Sequence, residues 1–225
     1  IMKKIFGNSL CIVVPHPDDE ILGAGGTISR AVRYGIEVHI LFVSGHLPPL
    51  YNPSEFQKIK NECLQACKFL NVTSEEFLEI PATLIHQKPL AELNKLIKNF
   101  IDKKDASTVM LPFPDRHIDH KLIFESGMVC TRPVGNSYPQ LVLCYETLSE
   151  THWNAPNIEP TFIPEIFIDI TDDIEKKLEA MSFYESQIGN NNARGLGAIK
   201  ALAEFRGSQN GFKFAESFKL IRHLI

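Results

Sequence analysis

Two short apolar runs, each halted by proline, constrain this chain more than any other feature. Leu10–Val14 stops at Pro15 and releases His16-Pro17-Asp18-Asp19-Glu20 before a periodic apolar segment begins at Ile21. Thr108–Leu111 stops at Pro112 and opens, past Phe113-Pro114, into Asp115-Arg116-His117-Ile118-Asp119-His120, again followed by apolar residues at helical spacing. Polar side chains at the C-terminal end of a strand, just before a helix, sit where open α/β sheets build their sites. A histidine and an aspartate three residues apart can reach one cation if the turn curls around it, and the intervening Asp18 is then free to act on water. The alternative is a helix N-cap rich in aspartate, because acidic residues suit a first helical turn. That reading leaves His16 without a purpose. His117 and His120, at i and i+3, share a helix face and repeat the architecture of the first cluster. Neutral imidazole with carboxylate suits zinc, and three protein ligands with an open position is the catalytic rather than the structural arrangement.

Alternation of apolar runs and helical periods predicts strands at about 10–15, 37–43, 77–80, 107–113, 140–145 and 165–170. It predicts helices at about 20–34, 53–70, 89–103, 119–131, 171–187 and 195–206. The pattern implies an α/β fold, Rossmann-like, with a mostly parallel sheet flanked by helices on both faces. Right-handed crossovers bring the ends of the first, second and fourth strands towards one edge. No composition shift or linker divides the 225 residues, so one domain over 1–225 is expected.

These residues resemble the PIG-L/LmbE-like zinc-dependent N-acetylglucosamine deacetylases. The resemblance rests on His16-Pro17-Asp18-Asp19-Glu20 with the later Gly25-Gly26-Thr27, and on His117-Ile118-Asp119-His120. It continues through Tyr145-Glu146, Trp153, Phe167–Thr171, Lys177, Tyr184–Gln187, Arg206-Gly207 and Ala215–Phe218, in the family's order. It implies hydrolysis of the N-acetyl group of an N-acetylglucosamine-type sugar or conjugate. His16, Asp19 and His120 would hold Zn2+, with Fe2+, Co2+ or Mn2+ as other divalent ions the donor set admits. Asp18 would be the general base for zinc-bound water, and His117 would stabilise the oxyanion and protonate the leaving amine. Asp119 would orient a ligand histidine from behind. Lys60, Tyr145 and Glu146 are expected to contact substrate. Lys58 and Lys60 stand near an arginine of the relatives, and lysine lacks its planar fork. His46 reads as a solvated loop histidine. Trp153 and Phe162 are further aromatic candidates for a sugar pocket, with packing as the alternative. Asn190–Arg194 departs from a proline-rich stretch of the relatives. Homo-oligomers are common among such proteins, so self-association is also implied.

Other classes fit less well. A dinucleotide-binding oxidoreductase is suggested by Gly23-Ala24-Gly25-Gly26, but these glycines lie inside the expected helix and G-x-G-x-x-G is absent. A catalytically silent sugar-binding relative would be expected to lose a base or a ligand, and every motif position is present. The net charge of −4 offers no basic field for nucleic acid. No run approaches 18 apolar residues, so no membrane span is expected. The apolar stretch after Met2-Lys3-Lys4 reads as the first strand rather than a signal peptide. Five cysteines with no C-x-x-C pair then suit a reducing cytoplasm.

Overall fold

The computed structural model describes residues 2–135, 137–188 and 193–225. Its strands are β1 (Ser9–Val14), β2 (Glu37–Gly45), β3 (Ser74–Pro81), β4 (Thr108–Pro112), β5 (Leu141–Tyr145), β6 (Ile166–Asp169) and β7 (Ala215–His223). Its helices are α1 (Met2–Phe6), α2 (Asp19–Arg33), α3 (Pro53–Phe69), α4 (Leu90–Lys103), α5 (Ile118–Cys130), α6 (Ile174–Ser182), α7 (Glu185–Ile188) and α8 (Leu196–Ser208). The strands form one sheet in the order β3-β2-β1-β4-β5-β7-β6. β1 to β5 are parallel, and β7 runs antiparallel to both β5 and β6. The chain leaves β1 for β2 and β3 on one side and returns to β4 on the other. That reversal opens a crevice beyond the C-terminal ends of β1 and β4, where both motifs emerge.

Alternation along β1 divides the core. Leu10, Ile12 and Val14 face a cluster with Ile21 and Ile28 of α2, Ile59 and Cys63 of α3, Ala180 of α6 and Ile199 of α8. Cys11 and Val13 face the opposite cluster, with Ile97, Phe100 and Ile101 of α4 and Ile123 of α5. Every β1 residue is buried, as a central parallel strand covered on both faces requires. In α4, Leu93, Ile97, Phe100 and Ile101 recur at i, i+4, i+7 and i+8 and supply the buried stripe. Pro53 begins α3 at a position where its missing N–H costs nothing.

Two elements lie outside the expected set. Met2–Phe6 is a short helix that buries Met2 and Phe6 ahead of the first strand. The C-terminal segment is a seventh strand, β7, inserted between β5 and β6. Among the described residues no helix is long and apolar enough to cross a membrane.

The Gly-Gly-Thr segment has a structural explanation. Leu22 C=O and Gly26 N–H form an i, i+4 pair, yet each is bonded to the buried Lys177–Glu216 ion pair. Lys177 Nζ donates to Leu22 O at 2.9 Å and to Glu216 Oε1 at 2.6 Å. Gly26 N–H donates to Glu216 Oε1 at 2.9 Å and Thr27 N–H to Oε2 at 2.7 Å. Side chains thus enter the backbone ladder of α2. A Cβ on Gly26 would fall 2.8 Å from Ile170, and one on Gly23 would fall 2.3 Å from the Tyr145 ring. These glycines serve close packing, not a dinucleotide.

Candidate active site

The turn after β1 is fixed at both ends. Pro15 O accepts from both Ser44 N–H at 3.0 Å and Ser44 Oγ at 2.9 Å. Asp18 takes the N-cap position of α2 with φ 118° and ψ −30°, and its carboxylate makes no capping bond. The simple cap reading therefore fails. Such a conformation costs a non-glycine residue roughly 1–3 kcal/mol, and strain of this kind collects at functional sites.

Asp19 Oδ2 lies 3.2 Å from His16 Nδ1 and 3.3 Å from His120 Nε2. Both ring orientations are fixed from behind. Asp119 Oδ2 lies 2.9 Å from His16 Nε2 and also accepts Thr83 N–H at 2.7 Å. Asp115 Oδ2 lies 2.9 Å from His120 Nδ1 and also accepts from Thr151 Oγ1 at 2.9 Å. Carboxylates behind imidazoles set the tautomer that presents the other nitrogen as a lone-pair donor.

The donor set fits a cation. Among the described residues, the buried His120 Nε2 has no hydrogen-bond partner. Tetrahedral zinc with bonds of about 2.0–2.1 Å places adjacent ligand atoms about 3.3–3.4 Å apart, close to the two separations at Asp19. The electrostatics agree. Burial disfavours charge on His16, yet Asp119 and Asp19 lift its pKa to about 9. Burial opposes charge on His120 too, yet Asp19 and Asp115 lift it to about 10. Burial would raise Asp19, but His120 and His16 outweigh it and hold the carboxyl well below the ordinary range. This pocket favours positive charge.

His117 is different. Its ligand atom also lies within 4.8 Å of those of His16 and His120. However, its Nδ1 accepts Asp119 N–H at 3.2 Å, making His117 the N-cap of α5. The proton of the neutral ring then belongs on Nε2, which becomes a donor rather than a ligand. Burial, then the charges of His16 and His120, push its pKa down to about 4. His117 is neutral at pH 7.

Asp18 stands beside the cluster, buried. Burial, then the charge of Asp19, raise its carboxyl well above the ordinary range, while Arg194 works against them. Arg194 Nη1 lies 3.4 Å from Asp18 Oδ2, while its Nη2 donates to Glu150 at 2.9 Å and its Nε to Ser149 Oγ at 3.0 Å. Asn190–Asn192 lie outside the described residues. His16, Asp18, Asp19, His117 and His120 line one cleft of about 640 Å³. Its far wall carries His46 stacked on Tyr51, ring centres 4.2 Å apart, with Lys58 and Gln187. His46 is thus part of the cleft wall, not a freely solvated loop residue.

The expected substrate contacts are not brought there. Tyr145 is fully buried and donates to Val13 O at 2.9 Å. Glu146 faces Arg206, at 2.8 and 2.6 Å, with Ser217 at 2.6 Å and His152 at 3.0 Å. Lys60 pairs with Glu79 at 2.7 Å, and Lys58, two residues earlier on α3, lines the cleft instead. Phe162 packs edge-on against Phe113, while Trp153 is 54% exposed and outside the cleft lining. Asp115, Thr83 and Glu150 were missed. Asp115 lies inside the second motif, but nothing in its spacing marks it as the partner of His120.

Residues 11–131, more than half of the chain, match the PIG-L family, described as GlcNAc-PI de-N-acetylase, and the chain belongs to that family of metal-dependent deacetylases. The chain is 28% identical over 237 aligned residues to the diacetylchitobiose deacetylase of Thermococcus kodakarensis, covering 98% of this chain and 84% of that one. The solved N,N'-diacetylchitobiose deacetylase of Pyrococcus horikoshii matches with a TM-score of 0.77 at 21% identity, over 95% and 84% of the two chains. The 4-carboxy-2-hydroxymuconate hydratase of Pseudomonas putida matches with a TM-score of 0.78 at 16% identity, over 97% and 98%. The backbone therefore does not choose the reaction; the site residues must.

Proposed function

We propose that this protein hydrolyses the N-acetyl group of an N-acetylglucosamine-type sugar or sugar conjugate, with His16, Asp19 and His120 holding a zinc ion. The observation that carries the proposal is the convergence of His16 Nδ1 and His120 Nε2 on Asp19 Oδ2, with Asp18 and His117 lining the same cleft. The similarity to diacetylchitobiose deacetylases supports the substrate class.

When bound, the ion supplies Lewis acidity, polarising the acyl carbonyl and lowering the pKa of a water molecule to about 7. The chain's own residues do the rest. Asp18 takes the proton as the water oxygen bonds to the acyl carbon. Its raised pKa lets it return that proton to the nitrogen as the C–N bond breaks, giving acetate and a free amine. His117 donates from Nε2 to the carbonyl oxygen as negative charge develops there. Arg194, with Nη1 3.4 Å from Asp18 Oδ2, favours the ionised carboxylate that accepts the proton. Lys58, His46 and Tyr51 form the wall against which the rest of the sugar conjugate rests. All five cysteines are buried and free, which fits the cytoplasmic reading.

Metal analysis of the isolated protein, with acetate release from a panel of N-acetylglucosamine conjugates including diacetylchitobiose, tests the proposal. Stoichiometric zinc and acetate from at least one conjugate are expected. Metal-loaded protein that releases acetate from none of them overturns it.

A further inference from the structure

The proposed chemistry leaves one carboxyl at the site unused. Glu20 is fully buried, and Asp18 N–H donates to its Oε2 at 3.0 Å. Its other oxygen accepts the hydroxyl of Tyr184, itself fully buried. A buried carboxyl satisfied by an amide and a phenol is an expensive way to fill space, since an apolar side chain would pack there without desolvating a charge.

Its geometry shows what it holds. Asp18 has φ 118°, a conformation that L residues other than glycine rarely adopt. Its C=O is tied to α2 by Ile21 N–H at 3.0 Å and Leu22 N–H at 2.9 Å. Its N–H is tied to Glu20, so both sides of the strained residue are fixed. Tyr184 is anchored in turn, because its N–H donates to Met181 O at 3.0 Å and its C=O accepts from Gln187 and Ile188.

We propose that Glu20 and Tyr184 are a positioning pair that keeps the Asp18 backbone left-handed and so aims the Asp18 carboxylate into the cleft. Neither side chain touches substrate. One Glu20 oxygen accepts Asp18 N–H while the other accepts the Tyr184 hydroxyl, which stops the Glu20 side chain from swinging away. The inference rests on Asp18 acting as the base.

The test compares Glu20→Ala, Glu20→Gln and Tyr184→Phe by kcat, KM, metal content and hydrogen exchange at the Asp18 amide. Glu20→Ala is expected to lose about 10–100-fold in kcat through misplacement of the base. Its KM should stay within about twofold, with full metal content. Glu20→Gln recovers most of the loss, since its amide oxygen still accepts Asp18 N–H. Tyr184→Phe, the gentler change should Glu20→Ala fold poorly, loses about 3–10-fold in kcat. Exchange at the Asp18 amide accelerates in Glu20→Ala with no substrate present. Wild-type kcat and exchange in Glu20→Ala overturn the inference, as does Glu20→Gln as inactive as Glu20→Ala, which would make Glu20 a proton carrier. If the wild-type protein releases no acetate at all, the functional proposal fails while the exchange measurement still decides whether Glu20 holds Asp18.

Discussion

Asp115 Oδ2 lies 2.9 Å from His120 Nδ1, and that contact turns the opposite ring nitrogen towards Asp19. Asp115 is itself held, accepting His117 N–H at 3.0 Å through Oδ1 and the Thr151 hydroxyl through Oδ2. A carboxylate so fixed keeps the imidazole in one tautomer and raises its basicity as a ligand. Asp115→Ala is therefore expected to weaken metal affinity by about 10–100-fold, measured by competition with a chelator. Unchanged affinity would mean that His120 is not a ligand or is oriented by something else.

How far the site was legible follows from this pair. The prolines after β1 and β4 mark where the polar clusters leave the sheet, so His16, Asp18, Asp19, His117 and His120 could be placed at one edge from spacing alone. Strand order reinforces this, because β1 lies between β2 and β4. The Asp115–His120 pairing depends on how the turn after Pro114 folds back, which spacing does not specify. Tyr145 and Glu146 failed for another reason. They end the neighbouring strand, but Tyr145 reaches across the sheet to Val13 O and Glu146 turns towards α8. Adjacency to a site in sequence carries no information about which way a side chain leaves the backbone. β7 has no continuous apolar run to mark it, because Glu216 and Ser217 at its start are buried to bond Gly26, Thr27, Lys177 and Glu146.

His117 and His120 should part company when each is replaced. His120→Ala is expected to lose both metal and activity. His117→Ala should keep its metal and nearly normal KM, yet lose on the order of 10²–10³ in kcat, as when an oxyanion donor is removed. With its pKa pushed down to about 4, His117 changes charge only in acid. It is neutral above that pH and contributes no limb to the wild-type kcat profile at neutral or alkaline pH. Metal loss from His117→Ala equal to that from His120→Ala would sink the division of roles.

Asp18→Asn and Asp18→Ala should both retain metal and lose about 10²–10⁴-fold in kcat, because neither can take a proton from water at neutral pH. Near-normal turnover in either would remove Asp18 from the chemistry.

Arg194 gives that base a pH signature. The guanidinium lowers the Asp18 pKa against burial and Asp19, so removing it raises that pKa further. The base works only when ionised. Arg194→Ala should therefore shift the acid limb of the kcat/KM profile to higher pH, with metal content unchanged. A limb that stays in place, or moves to lower pH, would show that Arg194 does not act on Asp18.

The cluster around Glu146 predicts a change in stability, not in substrate binding. Burial opposes its charge, but bonds from His152, Arg206 and Ser217 prevail and bring its pKa from 4.5 to about 2. A carboxyl depressed on folding stabilises the protein above its unfolded pKa. That contribution is lost as pH falls from about 4.5 through 2. Arg206→Ala leaves a buried carboxylate without its main partner and is expected to cost about 3–5 kcal/mol at pH 7. For a chain of this size the loss lowers Tm by on the order of 10 °C. Adding Glu146→Gln to Arg206→Ala should restore part of it, since the stranded charge is gone. Assays run well below Tm should find KM unaltered, because Glu146 lies off the cleft. A KM that rises while Tm stays constant would return Glu146 to the substrate site.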